Sequence, residues 1–364
     1  MLDEEPSVPV KAVDRERWTG IIFTFLSTFF YAISNVVVRF LAQPEYGIDN
    51  SWILFYKEAI GVAILLPWLF LRFGQGRFRF ISKRLVLLIV IAAIVCQLIG
   101  APLHVWGFEV VGLIITVPLV QSATLLGVAI MGYFIFGDSL SRRRKIAITI
   151  LIVAMTILSI GRAMAADPQD ESAEAVSAGF FLLVAAGVIV AGIAYAVYIV
   201  MMRYMIRQHW QDENSAWLSF QFHHWIGHNQ QKQPGEKFYS PFPITLALAI
   251  VLGIGMVIFG TMIYTKQGIE GFYNVHDWAW QVILISGTCN LVGFFFQLQG
   301  LRMTSAVQAA LIAVSQMLVL SLVGFLFFDE LSDVVLSNVL VIIGLGLTAC
   351  GVIMSAKPER PTVK

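Results

Sequence analysis

The chain has 364 residues, of which 58% are hydrophobic and only 13% charged, with a formal net charge of +1. Soluble domains carry about 25% charged residues, so a soluble globular fold is excluded, and a near-neutral chain offers no broad basic face to nucleic acid. The three cysteines, Cys96, Cys289 and Cys350, all fall inside apolar runs, so no disulfide framework or metal-ligand spacing can be built from them.

Residues 1–18 are polar and acidic at first, and no small-x-small cleavage site follows the next apolar run, so the first span is expected to stay as an anchor. Ten apolar runs follow, near 19–42, 52–71, 85–108, 110–136, 146–165, 178–202, 242–264, 279–299, 303–328 and 334–355. Each is close to the roughly 20 residues that cross a bilayer as a helix, the form that satisfies its own backbone in lipid. Tight turns are expected at Gly112, between the third and fourth spans, and at Thr304-Ser305, between the eighth and ninth.

Basic residues set the orientation. With the N-terminus inside, the inner segments are the tails (1–18 and 356–364) and the loops 72–84, 137–145, 203–241 and 300–304. Of the 24 Lys and Arg, all fall there except Arg162 and Lys266, and Arg39 and Lys57 within spans. The outer loops are acidic, with Asp167, Asp170, Glu171 and Glu174 in one and Asp329, Glu330 and Asp333 in another. Ten spans with both ends cytoplasmic sort the charges cleanly and suit a bacterial cytoplasmic (inner) membrane.

The spans also repeat. Cys96-Gln97-Leu98-Ile99-Gly100 matches Cys289-Asn290-Leu291-Val292-Gly293 at an offset of 193, which carries on to His104 with Gln297 and Gly107 with Gly300. Tyr31, Ala32 and Arg39 match Tyr195, Ala196 and Arg203 at an offset of 164. Phe136-Gly137-Asp138-Ser139-Leu140-Ser141 resembles Phe327-Phe328-Asp329-Glu330-Leu331-Ser332. Two units are therefore expected, 19–165 and 178–355, with an insertion near 209–240 in the second. Five spans per unit is an odd number, so the second unit enters the membrane upside-down, an architecture that recurs in secondary transporters. The fold class expected is an all-α membrane protein of ten transmembrane helices in two inverted five-helix repeats.

On these motifs the chain resembles the drug/metabolite transporter superfamily, in particular its EamA-type members. The most specific part is the helix, acidic corner and helix from Pro118 to Leu158, with its counterpart from Gln308 through Phe328-Asp329-Glu330-Leu331-Ser332 to Ile353. Asp138 stands where the family usually has Glu, and Phe328 where the second corner usually has Gly. The resemblance implies a ten-helix carrier of metabolites, amino acids or drugs, often an exporter. Nucleotide-sugar and organic-phosphate carriers belong to the same superfamily.

Polar groups inside spans are costly and mark candidate sites. Gln97 and His104 lie two turns apart on one face of the third span, and Asn290 and Gln297 repeat that face in the eighth. The first span adds Tyr31 and Asn35, the sixth Tyr195 and Tyr198, and the fourth and ninth Gln121, Gln308 and Gln316. These are the expected substrate-cavity residues, although bonding between helices accounts for such groups equally well. Glu58, His104 and Glu109 are candidates for proton or ion coupling. Lys57 and Glu58 are adjacent, so pairing of Glu58 with Arg39 and of Lys57 with Glu109 is expected rather than pairing with each other. His223, His224 and His228 in the insertion lack an acidic or thiol partner, so no metal site is expected. No nucleotide-binding loop and no nucleophile or metalloprotease motif occurs, so neither ATP-driven transport nor an enzyme is expected. The competing classes are a membrane-embedded enzyme and a sensory or structural membrane protein. The partners implied are a small-molecule substrate and the lipid bilayer, with no cofactor and no nucleic acid; the sequence leaves open a homodimer.

Overall fold

A computed structural model describes residues 10–74, 83–136, 141–163, 178–209, 242–273, 275–317, 319–320, 323 and 335–356. Regular structure among them is helical, with no strand. The helices are α1 Val10–Leu41, α2 Asn50–Gly74, α3 Lys83–Ile94, α4 Ala101–Phe136, α5 Arg142–Ala163, α6 Ala178–His209, α7 Phe242–Gln267, α8 Asp277–Met303, α9 Ala306–Ala313 and α10 Val335–Ala356. A π-helical turn, Val95–Gly100, joins α3 to α4.

Among the described residues, seven stretches are long and apolar enough to cross a membrane: Trp18–Leu41, Asn50–Leu71, Val86–Leu113, Thr116–Ile135, Leu183–Ile206, Ile244–Gln267 and Asp277–Met303. Shorter apolar stretches, Lys145–Ala154 and Ile342–Gly351, lie in α5 and α10. The distribution of polarity is the reverse of a soluble protein's. Phe29, Phe70, Leu71, Val257 and Leu284 are exposed, while Ser34, Glu58, Gln97, Asn290 and Gln316 are buried. Water would penalise such an apolar exterior, whereas hydrocarbon does not. This is a multi-pass α-helical membrane protein.

Two expected turns appear where the sequence put them. Gly112 has φ 76° and ψ −179° and folds α4 into two arms, so that the chain turns back without a loop. Thr304 is extended, and Ser305 caps α9 by accepting a hydrogen bond from the Gln308 amide at 3.1 Å. The ninth span differs from the continuous run expected. α9 stops at Ala313, Val314 and Ser315 form a turn, and helix resumes at Gln316. Tightened bonds from Ser315 N–H to Ile312 O (2.8 Å) and from Met317 N–H to Val314 O (3.0 Å) hold that break.

Helix pairing places the site. α1 packs along α8, α6 along α4, α2 against α7 and α8, and α5 against α10. The acidic corners at Asp138 and at Asp329-Glu330, residues 210–240 of the insertion with its three histidines, and residues 1–9 and 357–364 of the tails lie outside the described residues, whereas residues 10–18, expected as tail, already belong to α1.

Candidate functional site

A cavity between the helices collects side chains, polar and apolar, from α1, α2, the π-turn, α4, α6, α8 and the segment from α9 to Gln316. Its volume is about 130 Å³, counted as space open to the centres of water molecules. One water needs about 10–15 Å³ on that measure, so the space suits about ten waters or one small metabolite.

Repeated turns of α1 bring Thr24, Ser27, Thr28, Tyr31 and Asn35 to the cavity wall. The Tyr31 hydroxyl donates to Gln297 Oε1 of α8 at 2.9 Å. Across the cavity, the Tyr195 hydroxyl of α6 lies 3.2 Å from His104 Nδ1 of α4. Each tyrosine ring lies against a glycine on the facing helix. A Cβ at Gly293 would sit 3.1 Å from the Tyr31 ring, and one at Gly100 would sit 3.2 Å from the Tyr195 ring. Both rings are therefore seated so closely that a methyl there would require them to give by a few tenths of an ångström.

The π-turn explains how the third span presents its polar face. Widening the helix by one residue per turn rotates side chains out of the regular register, which is why such turns recur at functional sites. Here Cys96, Gln97 and Gly100 are the buried members of the turn. Gln97 and Glu58 both press on α7 at Gly255, where a Cβ would come within 2.9 Å of each. At the cavity's α9 side, Gln121 Nε2 donates to Gln316 Oε1 at 3.1 Å.

Lys57 and Glu58 correct the expected pairing. Lys57 Nζ lies 3.6 Å from Glu58 Oε1, although the residues are adjacent. Adjacent helical residues diverge at the backbone, but the four-carbon lysine stem is long enough to bring its ammonium back. Glu109 takes a different partner from the one expected for it: it is exposed, accepts from Asn50 Nδ2 at 2.7 Å, and does not line the cavity.

Of the other named residues, Asn35, Gln97, His104, Gln121, Tyr195, Tyr198, Asn290, Gln297 and Gln316 line the cavity with Tyr31 and Glu58. Gln308 does not; it is buried in the first turn of α9. Sequence reasoning missed Thr24, Thr28, Phe108 and Phe294. The two threonines carried a signal, since they continue the stripe of Ser27 and Tyr31 at helical spacing. The two phenylalanines carried none in so apolar a chain. Among the described residues, five buried polar atoms of the lining have no hydrogen-bond partner: Glu58 Oε2, His104 Nε2, Tyr198 Oη, Asn290 Nδ2 and Gln316 Nε2. Among the described residues no cluster of three His, Cys, Asp or Glu side chains could hold a metal ion.

The fold has been seen before. One solved structure, described only as "Crystal structure of protein", is similar over 93% of this chain and 97% of its own, with a TM-score of 0.61 and 10% sequence identity. No family model matches the chain, and no curated protein does. At that identity the likeness concerns the fold alone.

Proposed function

We propose that this protein is a secondary transporter of small metabolites, amino acids or drugs, of the drug/metabolite transporter kind. It spans a cytoplasmic membrane ten times as two inverted five-helix repeats, 19–165 and 178–355, with both ends inside. One observation carries this reading: contacts around the cavity come in pairs related by the sequence offsets. Tyr31 with Gln297 and Tyr195 with His104 are related by 164 for the tyrosines and 193 for their partners. The same offsets relate Tyr31 against Gly293 to Tyr195 against Gly100, and Thr24 against Gly300 to Val188 against Gly107. Helix packing agrees, since α1 on α8 is the counterpart of α6 on α4.

Two similar halves around one central cavity favour alternating access. Exchange of the two halves' conformations exposes the same polar groups first to one side and then to the other. The tyrosine pairs lie between helices of opposite halves, so they can break and re-form as the halves rock. The break at Val314-Ser315 fits this too, because interrupted helices border the binding sites of such carriers. Export is the direction we favour, from the resemblance. The test is efflux of radiolabelled metabolites from cells overproducing the chain, beside Tyr31→Ala. Flux that depends on the protein and falls in the variant supports the reading, and a product formed without any flux favours an enzyme.

A further inference from the structure

The cavity contains one feature that the repeat does not duplicate. At the offset of 193, Lys57 and Glu58 correspond to Ile250 and Val251, so the only ion pair of the lining belongs to one half. Its two members differ in access. The Lys57 side chain is 13% exposed, whereas Glu58 is 1% exposed and its Oε2 is sealed and without a partner. Both residues line the cavity, and Lys57 is the more open member of the pair.

The remaining orphaned groups point the same way. Asn290 Nδ2 and Gln316 Nε2 are unpaired donors on residues only 4% exposed, and Tyr198 Oη is a third group able to donate. Buried donors without partners are costly and favour a ligand that brings acceptors. An anionic oxygen pair is the acceptor that three donors and an ammonium suit best. A bare monoanion, however, would add one uncompensated negative charge to a low-dielectric site already holding Glu58, and buried charge without compensation is expensive.

We propose that the cavity takes a small organic monoanion, its charged group on Lys57, and that Glu58 takes up one proton as the anion binds. This rests on the transporter reading and names its substrate class. When the anion takes over Lys57, the Glu58 carboxylate loses its counter-ion and accepts a proton from water, giving a neutral carboxylic acid. One negative and one positive charge enter together, and the site's net charge is unchanged. On release the proton leaves Glu58, and the Lys57–Glu58 pair re-forms. The other titratable groups near Glu58 are Tyr31 on α1, Cys96 on the π-turn, and Tyr195 and Tyr198 on α6, with His104 near Lys57. On α7, Gly255 lies against Glu58 and the Val251 carbonyl accepts from Gln97, and neither residue titrates.

The test is calorimetric titration of the purified full-length protein with benzoate, benzenesulfonate, benzamide and phenylalanine. Two buffers of different ionisation enthalpy count the protons exchanged. The expected result is binding of the anions at least tenfold tighter than of neutral benzamide or zwitterionic phenylalanine, with one proton taken up per monoanion. Lys57→Gln should weaken anion binding at least tenfold. Glu58→Gln should keep binding but take up no proton, and the double variant, checked for a monodisperse elution profile, guards against misfolding from a lone buried charge. Failure of both anions to bind, equal binding of benzamide or phenylalanine, or proton uptake that survives Glu58→Gln would each overturn the proposal. A parallel flux measurement in proteoliposomes separates the two readings. Flux of a solute indifferent to Lys57→Gln leaves the transporter standing without this inference, and proton-linked anion binding without any flux does the reverse.

Discussion

Removing the Tyr31 and Tyr195 hydroxyls, one at a time and together, asks whether the paired contacts serve transport or only packing. Tyr31→Phe deletes the 2.9 Å bond to Gln297, and Tyr195→Phe deletes the 3.2 Å contact with His104, while both rings keep their seats against Gly293 and Gly100. Interhelical hydrogen bonds in membrane proteins are worth about 0.6 kcal/mol on average and up to about 1.7. Each variant should thus lose at most about 1.7 kcal/mol of stability, because cavity water can replace the lost partner. The two bonds border one cavity, so the double variant measures how far their stability costs depart from additivity. If the hydroxyls also contact the substrate, a further loss of about 1 kcal/mol lowers apparent affinity about fivefold. Thermal melts in detergent, with flux in proteoliposomes normalised to folded protein, separate the two effects. The reasoning fails if flux per folded molecule is unchanged in both variants, or if one tyrosine is essential and the other silent.

Gly293→Leu and Gly100→Leu should each cost about 1–3 kcal/mol from overpacking against the Tyr31 and Tyr195 rings, read as a lowered melting temperature, with the alanine variants much milder. Gly112→Ala forces a side chain into φ 76°, ψ −179°, where only glycine is comfortable, and should cost about 1–3 kcal/mol in the same assay. At the loop before α2, burial works against the Asp49 carboxylate, but the Ser51 hydroxyl and amide together with Lys266 outweigh it and hold its pKa below the usual 3.8. Its contribution is therefore complete above that value and lost as pH falls through the lower folded one. With Lys266 57% exposed the contribution is at most about 1 kcal/mol. The stability gap between the native chain and Asp49→Asn, followed by melts, should stay constant from neutral pH to about pH 5 and close below about pH 4.

Hydrophobic run length carried the all-helical membrane class, and glycine placement carried one of its turns. Gly112 and Ser305 announced their turns because a positive φ and a helix cap each demand particular residues. The cavity face was legible wherever a polar residue interrupted an apolar helix at helical spacing, as with Tyr31 and Asn35 or Gln97 and His104. Gln308 shows the limit of that rule: a polar group in the first turn of α9 is buried there rather than turned to the cavity. The π-turn at Val95–Gly100 and the break at Val314-Ser315 left no trace, because both arise from how helices pack rather than from propensity. The Lys57–Glu58 contact escaped for a different reason. Backbone geometry separates adjacent side chains, and only the length of the lysine stem reverses that.

Access to one buried position from both sides of the membrane is the most direct measurement. In a chain with Cys96, Cys289 and Cys350 replaced, Asn290→Cys would be treated with a membrane-impermeant thiol reagent in right-side-out and in inverted vesicles. The account predicts labelling in both orientations, with added substrate changing the balance between them. Labelling from one face only, under every condition tried, would contradict it.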